Sequence, residues 1–274
     1  MKVKSLNNEL RIPQLGYGVW KVPNEEATAA VEQALDAGYR LIDTAKIYGN
    51  ERGVGEAIAG SNISREELFI TTKVWNSDQG YENTLNAFDE SLEKLGLDYV
   101  DLYLIHWPAP KFDMYVETYK ALEKLYKDGR TKAIGVCNFD IEHLRRIMKE
   151  CEVVPAVNQV ECHPYLQQKE LKEFCREHGI QIEAYSPLMN GTKVMEDQTV
   201  NEIANKYEKT PAQVILRWHL QTDVVVIPKT VTPSRMKENL NVFDFELSEA
   251  DMEKIALLDR NERNNSVPSE MNNR

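Results

Sequence analysis

Residues 99–107 read "YVDLYLIHW". Aliphatic, β-branched and aromatic side chains follow one another with no regular polar alternation, as in a strand covered on both faces. Such strands belong to parallel sheets flanked by helices, and this one closes on a histidine. Six more runs have the same character: "YRLIDTA" (39–45), "LFITTKV" (68–74), "TKAIGVCNF" (131–139), "PAVNQVECH" (155–163), "IQIEAYSPL" (180–188) and "DVVVIPK" (223–229). An eighth, "NVFDF" (241–245), is weaker.

Helical patterns lie between these runs. Asn24 is placed to cap a helix through Ala27, Ala30, Val31, Ala34 and Leu35 that stops at Gly38. Leu85, Phe88, Leu92 and Leu95 recur at helical spacing before Gly96, and "FDIEHLRRIMKE" starts at an Asp140 cap. Further helices are predicted over Tyr115–Asp128, Gln168–His178, Pro211–Gln221 and Ser248–Leu258.

Parallel strands require crossover helices, and eight strand–helix units with no linker-like shift in composition fit one closed barrel in 274 residues. The fold class is α/β, a (β/α)8 TIM barrel over residues 1–274. Residues 1–18 are predicted to form a β-hairpin that turns at Asn7-Asn8 and covers the barrel bottom. Residues 261–274, "NERNNSVPSEMNNR", are polar and read as a loose tail.

Composition excludes several functions. With 44 Asp and Glu against 33 Lys and Arg, the net charge of −11 disfavours a grip on nucleic acid. No apolar run approaches the ~20 residues of a membrane helix, and "MKVKSLNNEL" lacks the apolar core of a signal peptide. Cys137, Cys151, Cys162 and Cys175 show no C-x-x-C spacing. Reduced thiols in a cytoplasmic protein are the simplest expectation.

In such a barrel the active site lies at the carboxyl ends of the strands, so polar residues that close apolar runs are candidates. Asp43 closes the first run, Lys73 the second and His106 the third, and Tyr48 sits in the loop after Asp43. Cys137, Asn138, Asn158, Gln159, Tyr185, Ser186 and Lys229 complete the rim. A phenol donates a proton poorly near neutral pH unless a nearby cation stabilises its anion. Lys73 can be that cation, Asp43 can hold Lys73 in place, and His106 can hydrogen-bond a substrate oxygen. The set suits a carbonyl that accepts hydride and then a proton.

The motifs "DTAKIYGNE" (43–51), "TTKVW" (71–75), "LIHWP" (104–108), "GVCNF" (135–139), "NQVECHP" (158–164), "AYSPL" (184–188) and "IPKTVTPSRMKENL" (227–240) stand in order along the chain. With them the sequence resembles the aldo-keto reductases. The resemblance implies the barrel, a catalytic tetrad of Asp43, Tyr48, Lys73 and His106 with Tyr48 as proton donor, and a nicotinamide cofactor, NADPH/NADP+. It further implies that Asn138 and Gln159 hold the carboxamide and that the ring stacks on Tyr185. The resemblance also implies cofactor contacts at Cys137, Ser186 and Leu188. Lys229, Thr230 and Arg235 match positions that take the 2′-phosphate, and Glu238 and Asn239 match adenine contacts. Cations and a hydroxyl near a helix start suit a dianion.

The chain resembles the short microbial members that reduce aldehydes, methylglyoxal, or diketones and keto sugars such as diketogluconate, and a monomer is expected from that likeness. Trp20, Trp75, His106 and Trp107 are the candidate substrate wall. Two features depart from the family pattern: Cys137 replaces a common serine, and the tail lacks a Gly-Pro-rich closing loop. No G-x-G-x-x-G is present, since "GVGEAI" from Gly53 fails at its last position. A metal-dependent hydrolase is disfavoured, because the five histidines form neither H-x-H nor H-E-x-x-H, and no metal is expected. A nicotinamide-sensing regulatory subunit is the other rival. The intact tetrad favours the enzyme.

Overall fold

The computed structural model describes residues 2–273. The chain opens with an antiparallel hairpin of β1 (Val3–Ser5) and β2 (Arg11–Pro13), paired Val3 to Pro13 and Ser5 to Arg11. The turn lies at Asn7-Asn8, as predicted. Eight parallel strands then follow in sequence order around the sheet: β3 (Tyr17–Gly18), β4 (Leu41–Asp43), β5 (Phe69–Val74), β6 (Val100–Ile105), β7 (Thr131–Cys137), β8 (Val157–Glu161), β9 (Gln181–Tyr185) and β10 (Val225–Val226).

The eighth barrel strand is not the predicted "NVFDF". That segment forms no strand; Val242 in it is buried and packs in the main core. The missing strand is β3, inside the segment assigned to the hairpin, so Asp43 closes the second barrel strand and not the first. β3 is too short to show a pattern of its own. It closes the barrel through neighbouring residues: the Gly16 N–H donates to Val226 O at 2.8 Å, the Val226 N–H to Gln14 O at 3.0 Å and the Gly18 N–H to Pro228 O at 3.2 Å. A Cβ on Gly16 would lie 2.4 Å from Leu41 Cγ, so only glycine allows this approach.

The helices α1 (Asn24–Ala37), α2 (Glu51–Gly60), α3 (Tyr81–Leu95), α4 (Tyr115–Lys127), α5 (Ile141–Glu150), α6 (Lys169–Glu177), α7 (Gln198–Tyr207), α8 (Pro211–Gln221), α9 (Pro233–Leu240) and α10 (Glu249–Ala256) accompany the strands. The predicted stops hold: Gly38 and Gly96 end α1 and α3 in the left-handed conformation, at φ 114° and 63°. Asn24 does not cap its own helix. Its Oδ1 accepts the Gly53 N–H of α2 at 3.0 Å and ties the two helices together. α2, α7 and α9 had not been marked in the sequence.

The hydrophobic core forms two shells about the barrel strands, and a third cluster, including Val200, Ile203, Trp218 and Ile255, joins α7, α8 and α10. Inward-facing Leu41, Phe69, Leu102, Leu104, Ala133, Val157, Val225 and Ile227 fill the lumen together with Leu6 and Ile12 of the hairpin, which plugs the bottom. The outer shell lies between strands and helices and includes Ile42, Ile70, Tyr103, Ile134 and Val160. Alternate residues of one strand therefore serve two cores. This explains the unbroken apolar runs.

Candidate active site

Three strand ends and one loop converge at the open end of the lumen. Asp43, Lys73 and His106 are buried, while Tyr48, in a 3₁₀ turn of residues Lys46–Tyr48, remains partly open to solvent. The Lys73 ammonium donates to Asp43 Oδ1 at 2.6 Å and to Thr44 O at 2.9 Å. It also lies 5.2 Å from the centre of the Tyr48 ring. His106 meets Tyr48 edge-on at 5.6 Å and Trp75 edge-on at 5.2 Å.

Electrostatics assign the resting protonation states. Burial pulls the Lys73 pKa down, but Asp43, with smaller help from Tyr48 and Cys137, outweighs this and holds it above the usual lysine value. His106 is held well below its ordinary value by burial and by the Lys73 charge, so the ring is neutral. Tyr48 departs from the simple expectation. Burial raises its pKa more than Lys73 lowers it, and the negative charge of Asp43 adds to the rise. The phenol thus rests fully protonated, and Lys73 limits the cost of removing the proton without making the free site acidic.

A second polar layer adjoins this set. Gln159 Nε2 donates to Asp43 Oδ2 at 2.7 Å and to Glu183 Oε2 at 2.8 Å. Asn138, in the left-handed region at φ 64°, donates from Nδ2 to His106 O at 3.0 Å and accepts the Tyr185 hydroxyl at 2.8 Å. The Asn138 amide also reaches Cys137 Sγ at 3.2 Å, and that thiol in turn approaches Gln159 Oε1 at 3.6 Å. Asn158 faces away from this layer and holds Phe139 O at 2.9 Å.

The remaining candidates are more dispersed. Trp107 is buried and lies nearly parallel to His106 at 6.5 Å, whereas Trp20 is 39% exposed with Lys21 above its ring. Ser186 has φ 47° and bonds Asn190 at 3.4 Å, and Leu188 packs against the core. Beyond β10, Lys229 and Arg235 are exposed, and among the described residues neither pairs with a carboxylate. Thr230 O accepts the Tyr17 hydroxyl at 2.7 Å, which fixes this loop to β3. Asn239 is buried, and the Glu238 carboxylate accepts the Thr210 hydroxyl at 2.8 Å.

The segment read as a loose tail is tied down across the mouth. The backbone N–H groups of Asn264 and Asn265 donate to the buried Glu161 carboxylate at 2.6 and 3.0 Å, and His163 Nε2 lies 3.0 Å from the same group. Farther on, Asn272 Oδ1 accepts the Lys111 N–H at 2.9 Å and Asn273 O accepts Asn76 Nδ2 at 2.8 Å. Polar residues dock here because a buried carboxylate supplies the partner for their backbone. Glu161→Leu is therefore expected to release the strap and speed trypsin cleavage after Arg263 by at least about tenfold. Cleavage at the parent rate would show that Glu161 does not hold it.

A family model described as "Aldo/keto reductase family" matches residues 14–260. The chain belongs to the aldo/keto reductase family. Glyoxal reductase of Bacillus subtilis (strain 168) is 55% identical, over 97% of this chain and 96% of that one. Methylglyoxal reductase DkgA of Escherichia coli (strain K12) is 51% identical over 92% and 91%. Among solved structures, a Gox0644 variant in complex with NADPH superposes with a TM-score of 0.91 at 48% identity, covering 94% of each chain. As an aldo/keto reductase the chain is an oxidoreductase, and the barrel with its hairpin is the family's architecture. Glu183 and Glu161 had been missed. The available signal was a charged residue inside an otherwise apolar strand run.

Proposed function

We propose that the protein reduces small aldehydes and dicarbonyls, of the glyoxal and methylglyoxal class, to alcohols with NADPH. The observation that carries this reading is the buried Lys73–Asp43 pair beneath a protonated Tyr48 and a neutral His106. His106 Nδ1 is enclosed and has no partner among the described residues, and a neutral imidazole carries one N–H and one acceptor nitrogen, so Nε2 is the nitrogen that would meet a ligand. Between His106 and the Tyr48 hydroxyl a carbonyl oxygen can receive two hydrogen bonds. Trp75, edge-on to His106, offers an apolar wall to a substrate of a few heavy atoms.

The residues present fit a nicotinamide dinucleotide. Gln159 Oε1 and the Asn138 side chain suit a carboxamide, and unpaired Lys229 and Arg235 beside the start of α9 suit a phosphate dianion. When bound, NADPH supplies the hydride. The chain's own part is to hold the carbonyl against that hydride, polarise it from His106 and Tyr48, and deliver the Tyr48 proton to the new alkoxide. Lys73 stabilises the phenolate left behind, and Asp43 keeps Lys73 charged. Cys137 donates more weakly than serine, so its contribution to cofactor contact is small. Soluble, monomeric, cytoplasmic action is part of this reading, and among the described residues no helix is long and apolar enough to cross a membrane.

NADPH and NADH absorbance followed with a panel of aldehydes, methylglyoxal included, tests the proposal. Failure to oxidise either cofactor with any carbonyl would favour the nicotinamide-sensing alternative. Lys229→Ala or Arg235→Ala is expected to raise the KM for NADPH about tenfold or more while leaving NADH nearly unchanged, as loss of a charge-assisted phosphate contact predicts. Equal effects on both cofactors would show that neither residue reads the phosphate.

A further inference from the structure

Glu183 lies outside the tetrad, yet its carboxyl occupies the same buried layer. On β9 it stands in register with Gln159 of β8 and Val225 of β10, and it is inaccessible to solvent. Gln159 Nε2 donates one hydrogen to Glu183 and the other to Asp43, which uses up the amide nitrogen. Gln159 can therefore offer an incoming ligand only its Oε1. A continuous chain results, from Glu183 through Gln159, Asp43 and Lys73 to Tyr48.

The layer contains two carboxyls and one ammonium. The ionisable groups facing Glu183 are Asp43 from β4, Lys73 from β5 and Cys137 from β7, while β8 offers neutral Gln159 and β10 the apolar Val225. Glu183 Oε1 has no hydrogen-bond partner among the described residues. Burial, and then the Asp43 charge, push the Glu183 pKa up to about 8, against the opposing pull of Gln159 and Lys73. In the neutral range it is an acid with a proton to lose.

We propose that Glu183 is a positioning residue for the nicotinamide end of the site: as a neutral acid it fixes Gln159 with Oε1 toward the ligand, and as a carboxylate it is the counter-charge for the oxidised, cationic ring. The inference rests on the NADPH reading above. The oxidised cofactor then binds with release of the Glu183 proton to solvent, whereas the reduced cofactor, uncharged at the ring, does not require it. The same residue thus favours release of NADPH over NADP+ as pH rises.

Calorimetry of NADP+ and NADPH binding in buffers of different ionisation enthalpy, between about pH 6 and 9, measures this proton directly. The parent should release more protons with NADP+ than with NADPH below about pH 8, and its NADP+ affinity should gain up to about tenfold per pH unit relative to NADPH. Glu183→Gln, which keeps an acceptor for Gln159 and removes the ionisable proton, should abolish the difference. Glu183→Leu, which lets Gln159 turn, should weaken both cofactors about tenfold.

The ligand-free protein gives a second readout. A carboxyl whose folded pKa is raised contributes stability at low pH that is lost as pH rises through about 8, so the parent's Tm should fall relative to Glu183→Gln over that range. Equal proton exchange with the two cofactors in the parent, or an unaltered difference in Glu183→Gln, overturns the proposal while the reductase reading stands. A parent that binds neither cofactor overturns both.

Discussion

Tyr48→Phe is expected to lower turnover of methylglyoxal by roughly 10²–10⁴-fold while NADPH binding is retained. The substitution deletes one hydroxyl oxygen and leaves the ring against His106 and 5.2 Å from the Lys73 ammonium. None of the candidate carboxamide or phosphate contacts passes through that oxygen. The loss should therefore fall on kcat, with KM for NADPH nearly unchanged. Burial keeps the phenol protonated at neutral pH, Lys73 is held charged against Asp43, and His106 is neutral, so of the three groups nearest the proposed carbonyl position Tyr48 is the one that rests as a neutral acid. Steady-state kinetics paired with cofactor fluorescence titration separate the two quantities. Turnover within a few-fold of the parent would remove Tyr48 as the proton donor.

The second large effect is on stability. Lys73→Met removes the cation from a pair in which both side chains are almost wholly enclosed, at 0% and 3% exposure. Asp43 then keeps one hydrogen bond, from Gln159, but has no counter-charge. Breaking a buried pair from one side costs about 3–5 kcal/mol, a large share of a domain's stability. Asp43→Asn in the same background should restore part of it, since a neutral amide needs no ammonium, and the double substitution should cost less than the sum of the two singles. Urea denaturation of the three variants gives the coupling. A Lys73→Met protein within about 1 kcal/mol of the parent would mean that water or a rearrangement neutralises Asp43. Turnover in this variant should also fall, because the phenolate formed at Tyr48 loses its stabilising charge.

The two variants probe different parts of one arrangement. In the proposed reaction Tyr48 would carry the proton, and the Lys73–Asp43 pair keeps an ammonium buried beside it. Their combined placement argues for carbonyl reduction more strongly than any one residue, since a lone Asp, Lys or Tyr near a turn is ordinarily structural.

Much of this was legible in the chain. A strand buried on both faces has to be apolar throughout, and a lumen packed on one side and helices on the other impose that requirement on seven of the eight strands. Polar residues that close such a run stand out against it, and Asp43, Lys73 and His106 did so at the ends of their strands. The glycines at 38 and 96 marked helix ends because the left-handed conformation there costs other residues more. These features depend on local sequence and on one repeated environment.

Other features depend on partners far away along the chain. β3 is a strand only because Val226 and Pro228 supply its hydrogen bonds, and nothing within Tyr17–Gly18 records that. The tail looks unstructured by composition, yet it is held by the buried Glu161 and the loops at Asn76 and Lys111. Glu183 drew no reading from the sequence, since only barrel closure places it against Gln159 and within reach of the charge on Asp43. The acidity expected for Tyr48 was likewise reversed, since burial depends on everything packed around the ring. Sequence fixes periodicity and the chemistry of side chains, because those are properties of neighbours in the chain. Closure of the barrel decides charge balance, proton affinity and long-range docking, because these come from electrostatic and desolvation energies summed over groups that only the folded chain brings together.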